Sequence, residues 1–73
     1  MAYYYDITRH LVCVPYSTEN LHLMAKDIGI NRCWFHGGRY PHYDIPKKMM
    51  SVMSNFAKLV SNREVLVIIK GTQ

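Results

Sequence analysis

The segment Ser17-Thr18-Glu19-Asn20-Leu21-His22-Leu23-Met24-Ala25-Lys26-Asp27-Ile28-Gly29 decides the fold. Leu21, Met24, Ala25 and Ile28 fall at i, i+3, i+4 and i+7, the apolar stripe of a helix that faces a core. Ser17 is a good N-cap, because its hydroxyl can accept from a free amide of the first turn. Gly29 suits the left-handed residue that closes a helix, and Ile30 sits where a Schellman ending places its hydrophobic contact. The spacing predicts a helix over 18–28.

Upstream of that helix, residues 2–6 read as a strand from their aromatic density. Residues 10–15 read as a second strand, ended by Pro15. Downstream, residues 31–45 read as a ring-rich loop with a turn at Gly37-Gly38. A second helix is expected from near Pro46, a residue tolerated in a first turn. Met49, Val52, Met53 and Phe56 repeat the helical stripe there, and residues 57–60 follow as a short strand. Ser61-Asn62-Arg63-Glu64 fits a capping box and predicts a helix through about Lys70. The run Val65-Leu66-Val67-Ile68-Ile69 also suits a buried strand by its β-branching. The local cap signal favours the helix. The expectation is one small α/β (α+β) domain over residues 1–73, a short sheet of about three strands packed against two or three helices.

Seventy-three residues with 49% hydrophobic content are enough for a fold and argue against disorder. A chain this short buries only about 60% of its unfolded surface, so its core is thin. Spare apolar surface favours a homo-oligomer. The net charge of +4 suits a phosphate-bearing partner or any acidic surface, and equally ordinary solubility. Its basic residues are scattered and form no tail. Cys13 and Cys33 are too far apart for a CxxC pair. Neither a secretory leader nor an apolar run of about 20 residues is present, so the expected setting is cytoplasmic, without a membrane.

Function is sought in the ring-rich segment Trp34–Pro46, which packs two histidines, a carboxylate, an arginine and four aromatics into thirteen residues. Loops are usually made of small polar residues, so this one is unusual. His10, His22, His42 and Asp44 form the leading constellation. His42 and Asp44 alternate by two, which places both on one side of an extended segment. Imidazoles titrate near neutrality and suit proton transfer on a phosphoester. Three of them with a carboxylate also suit a divalent ion, yet HExxH, HxH and CxxC are all missing, and the sequence assigns neither a metal ligand nor a cofactor. The plain alternatives are Asp44 capping the second helix and His22 at a solvent edge. Arg39, Lys47 and Lys48 are the anion-binding candidates. The two lysines would stand at a helix N-terminus, whose free amides attract phosphate. Trp34, Tyr40 and Tyr43 offer rings for a base or sugar, although about half of the aromatics of so small a chain are needed for packing.

The order and spacing of several short patterns resemble the DUF4031 family, small uncharacterised proteins of bacteria and tailed phages. The residues that carry the likeness are Tyr4-x-Asp6, His10-Leu11, Leu21-His22-x-x-Ala25 with Gly29, Arg32-x-Trp34-Phe35 and His42-Tyr43-Asp44-Ile45. The resemblance implies a compact α/β domain and no established activity. The chain departs from the family pattern in Arg9, where a Trp or other bulky residue is common, and in a terminal segment that is apolar rather than basic.

Three functions compete. The leading expectation is a phage-type module that holds a nucleotide-like ligand or short nucleic acid, with sequestration of a defence nucleotide as one use. His10, His22, Trp34, Arg39, Tyr40, His42, Tyr43, Lys47 and Lys48 would form its pocket. The second is a phosphoester hydrolase or nuclease with His10, His42 and Asp44 as its catalytic groups. The third is a protein-binding inhibitor of a host factor.

Overall fold

The computed structural model describes residues 1–71. Two strands open the chain, β1 (Ala2–Tyr5) and β2 (His10–Val14), paired antiparallel. Helix α1 (Thr18–Ile28) follows. A short 3₁₀ turn (Arg32–Trp34) leads into a hairpin of β3 (Phe35–His36) and β4 (His42–Asp44). A nine-residue 3₁₀ helix (Lys47–Asn55) connects to β5 (Lys58–Leu59), and α2 (Asn62–Lys70) ends the described chain. The strands form one mixed sheet in the order β3-β4-β2-β1-β5, with only the β1–β5 pair parallel.

α1 takes the boundaries that its caps dictate. Ser17 accepts the amide of Asn20 at 3.0 Å. Gly29 adopts φ 92°, a left-handed conformation that costs a side-chain-bearing residue about 1 kcal/mol. The amide of Ile30 then reaches the Ala25 carbonyl at 2.8 Å, the long bond of a Schellman ending. Leu21, Met24, Ala25 and Ile28 are all buried. The capping reading of Ser61 also holds: its hydroxyl accepts from the amide of Glu64 at 3.1 Å, and α2 is a helix rather than a strand.

Two expectations are corrected. The sheet has five strands among the described residues, not three, because the ring-rich loop of residues 31–45 contains a 3₁₀ turn and a hairpin. Strands of two and three residues are too short to show a readable alternation. The helix after Pro46 is 3₁₀ rather than α, its first bond running from the Met49 amide to the Pro46 carbonyl at 2.8 Å. Ser51, Ser54 and Asn55 weaken an α-helix here, since their side chains compete for backbone groups. At three residues per turn Met50 and Met53 share a row: Met53 is fully buried, and Met50 packs against the core as Met49 of the expected stripe does, while Val52 and the C-cap residue Phe56 are exposed.

The sheet is covered on both faces. Tyr3 donates from its hydroxyl to Asp27 of α1 at 2.8 Å, and Tyr43 hydrogen-bonds with His22 of α1 at 2.7 Å. Period two places Tyr5, Leu11, Cys13 and Phe35 on that same face by register. The opposite face carries Tyr4, His10, Val12, His42 and Asp44, and α2 lies over it, with Val65 and Ile69 buried. β2 is the shared centre, and its Leu11, Val12 and Cys13 are fully buried. Among the described residues no helix is long and apolar enough to cross a membrane.

Candidate functional site

The site begins in the turn between β1 and β2. Asp6 is fully buried and uses both carboxylate oxygens. Oδ1 accepts the Thr8 amide (3.0 Å), the Thr8 hydroxyl (2.8 Å) and the His10 amide (3.0 Å). Oδ2 lies 3.0 Å from His10 Nδ1. Burial alone would push this carboxyl up. The His10 amide, the Thr8 side chain and the His10 ring outweigh it and hold Asp6 below the usual carboxylate value. The chain pays for the tight return with Arg9 at φ 73°, a left-handed conformation rare for a branched-out side chain. A carboxylate only accepts, so His10 carries a proton on Nδ1, and Nε2 is the nitrogen left for other partners.

The β3–β4 hairpin supplies the second half. His42 Nδ1 lies 2.6 Å from the Tyr40 carbonyl, an acceptor, which places a proton on Nδ1 and turns Nε2 to other contacts. His42 Nε2 is 3.3 Å from Asp44 Oδ1, and His36 Nε2 is 2.7 Å from Asp44 Oδ2. The His36 and His42 rings stack at 5.4 Å, 8° from parallel.

Pairing of β2 with β4 joins the halves. His10 stands opposite Asp44, and the His10 ring meets the His42 ring edge-on with centroids 4.9 Å apart. One ligating nitrogen from each of His10 and His42 and one Asp44 oxygen lie within 4.8 Å of one another. Of these groups His10 and His42 open into a cleft of about 240 Å³, lined with them by Tyr40 and by Asn62, Val65, Leu66 and Ile69 of α2. The Tyr40 ring at its edge is approached by two cations, Arg39 with Cζ at 5.8 Å and Lys70 with Nζ at 5.5 Å from the centroid.

The remaining expected residues lie elsewhere. His22 is on the α1 side of the sheet, packed edge-on against Phe35 and Tyr43. Burial and the Arg32 guanidinium hold its pKa below the usual value. Tyr43 is 1% exposed on that same side and burial raises its hydroxyl's pKa, so it is a core residue and presents no ring to the cleft. Trp34, 37% exposed, and the exposed Arg39, Lys47 and Lys48 do not line the cleft either, and of these Arg39 alone stands beside a lining residue, on the Tyr40 ring. Asp44 caps no helix; Pro46 occupies the N-cap of the 3₁₀ helix without a side-chain bond.

Sequence reasoning missed Asp6, Thr8, His36 and Lys70. Asp6 carried a signal, since an aspartate between a strand and a residue pair such as Thr8-Arg9 is a turn former whose side chain bonds amides two and four residues on. His36 carried one only once β3 was known, because its register partner is His42. Lys70 had none: its approach to Tyr40 depends on how α2 crosses the sheet.

A family model described as a protein of unknown function, DUF4031, matches residues 3–72. No curated protein and no solved structure gives a significant match.

Proposed function

We propose that this chain, which belongs to the DUF4031 family, is a small module that holds a phosphate-bearing, nucleotide-like ligand in the cleft between β2–β4 and α2. The observation that carries the reading is the meeting of two imidazoles with a tyrosine ring flanked by two cations. Imidazole, guanidinium and ammonium all suit phosphate oxygens, and Arg39 can meet them with two parallel donors. Tyr40 and the apolar wall of Val65, Leu66 and Ile69 suit a base or sugar. At about 240 Å³ the cleft lies below the common range of ligand pockets, about 300–1,000 Å³, which favours a mononucleotide-sized group over a long strand.

A second reading is favoured by the Asp6–His10 pair. A buried carboxylate on Nδ1 fixes the tautomer of the ring and the direction of Nε2, the arrangement of a general base. In that reading His10 takes a proton from the water that attacks a bound phosphoester, and Arg39 and Lys70 stabilise the developing charge. Sequestration of a defence nucleotide is the narrowest form of the binding proposal, and only the family likeness points that way.

One experiment separates the two. The protein is incubated with a panel of nucleotides, the melting temperature is recorded, and the denatured mixture is chromatographed. A raised melting temperature with intact ligand supports the binding module. Recovery of an altered nucleotide, abolished in His10→Ala, replaces it with the hydrolase. Arg39→Ala and Lys70→Ala should each weaken binding about tenfold. No nucleotide shifting the melting temperature would remove both readings.

A further inference from the structure

We propose that His10, His42 and Asp44 form a binding site for a borderline divalent ion such as Zn²⁺, held by two imidazole nitrogens and one carboxylate oxygen with at least one position open to the cleft. The donor atoms already stand within 4.8 Å of one another. They come from two strands of one sheet, which is a rigid platform.

The argument rests on what stands behind the donors. Metal-binding histidines almost always give the second ring N–H to a carboxylate or a carbonyl, which fixes the tautomer and aims the free nitrogen. Both patterns occur here, with Asp6 behind His10 at 3.0 Å and the Tyr40 carbonyl behind His42 at 2.6 Å. The carboxylate is supported too, since His36 Nε2 holds Asp44 Oδ2 at 2.7 Å and leaves Oδ1, the oxygen facing His42, to ligate. Each of the three donors therefore has its own orienting partner. The Thr8 hydroxyl, which donates to Asp6 Oδ1, lies 2.9 Å from His10 Nδ1 and flanks the pair.

The donor set selects the ion. Two nitrogens and one oxygen suit Zn²⁺, Co²⁺ or Ni²⁺, whereas Mg²⁺ and Ca²⁺ prefer all-oxygen sites. Three protein ligands leave a position for water or a phosphate oxygen, which is the open form of a zinc site. Asp6 and Asp44 together balance the charge of a divalent ion. Neither the ion nor its ligands depends on the nucleotide reading, so the site is tested with metal alone.

The test titrates the metal-free protein with Co²⁺ and then displaces it with Zn²⁺. The expected result is one ion per chain, visible bands of a four- or five-coordinate nitrogen–oxygen site, and no near-ultraviolet thiolate band, which would report the exposed Cys33 instead. In the unmutated protein, ¹⁵N shifts on Zn²⁺ addition should appear at Nε2 of His10 and His42 and be missing from His22. This arm needs no variant to fold. His42→Ala and Asp44→Asn should abolish binding, His22→Ala should leave it unchanged, and His36→Ala should weaken it about 10- to 100-fold as a positioning residue. A thiolate band, shifts confined to His22, absence of stoichiometric binding, or undiminished affinity in a folded His42→Ala protein would overturn the proposal.

Discussion

Asp6 is the residue on which the local geometry turns. Its carboxylate closes the β1–β2 turn and orients His10 at once, so its removal strips acceptors from the Thr8 and His10 amides within a buried site. Asp6→Ala should cost on the order of 3 kcal/mol in urea unfolding, whereas a surface carboxylate would cost well under 1. His22 makes a different prediction. Burial and Arg32 hold its pKa below the ordinary value, so the folded protein favours the neutral ring. A group depressed in this way contributes stability in full above its unfolded pKa of about 6.5, and loses it as pH falls through the lower folded value. The melting temperature of the wild type should fall from about pH 8 to about pH 5 more steeply than that of His22→Gln. Equal slopes would show that His22 does not respond to the fold. That His42 and Asp44 share one side was legible because His42-x-Asp44 has the period of an extended segment, whereas their meeting with His10 depends on the pairing of β2 with β4, which no local pattern marks. The displacement of His22 to the other face was not legible, since a helical residue at the edge of a stripe is equally compatible with either side of a sheet.

At the level of elements, capping chemistry proved more readable than hydrophobic period. Ser17 and Gly29 bounded α1, and Ser61 settled helix against strand for a run whose composition is β-branched. Each of these signals is a single short-range hydrogen bond or backbone angle, independent of the rest of the molecule. The 3₁₀ helix escaped because its stripe is also a good α stripe, and the weakening by Ser51, Ser54 and Asn55 leaves no mark on that period. The hairpin of β3 and β4 escaped because its strands are shorter than one full alternation. α2 walls the cleft and starts at Asn62, a lining residue, so its first turn is where stability meets the site. Ser61→Ala should cost about 1 kcal/mol in urea unfolding and should be read alongside amide exchange in the turn that it caps.

For the whole molecule, the decisive feature is a central strand buried on both sides. β2 gives Leu11 and Cys13 to the α1 layer and Val12 to the α2 layer, so neither layer is complete without the other. Unfolding should be one transition: the fluorescence of Trp34, the single tryptophan, beside the hairpin, and the circular dichroism of the helices should give coincident urea curves. Separate midpoints would show two layers that melt apart. The β2–β4 pairing has a further effect on chemistry. Tyr43 lies opposite Leu11 on the hidden side, and its neighbours His42 and Asp44 therefore emerge on the other. A slip of one residue would drive a phenol toward His10 and two polar groups into hydrocarbon. The alignment of the polar trio is thus enforced from behind by greasy contacts, so Gly38 at the hairpin tip, where an added Cβ would meet nothing within 4 Å, can change without misaligning the chemistry it overhangs.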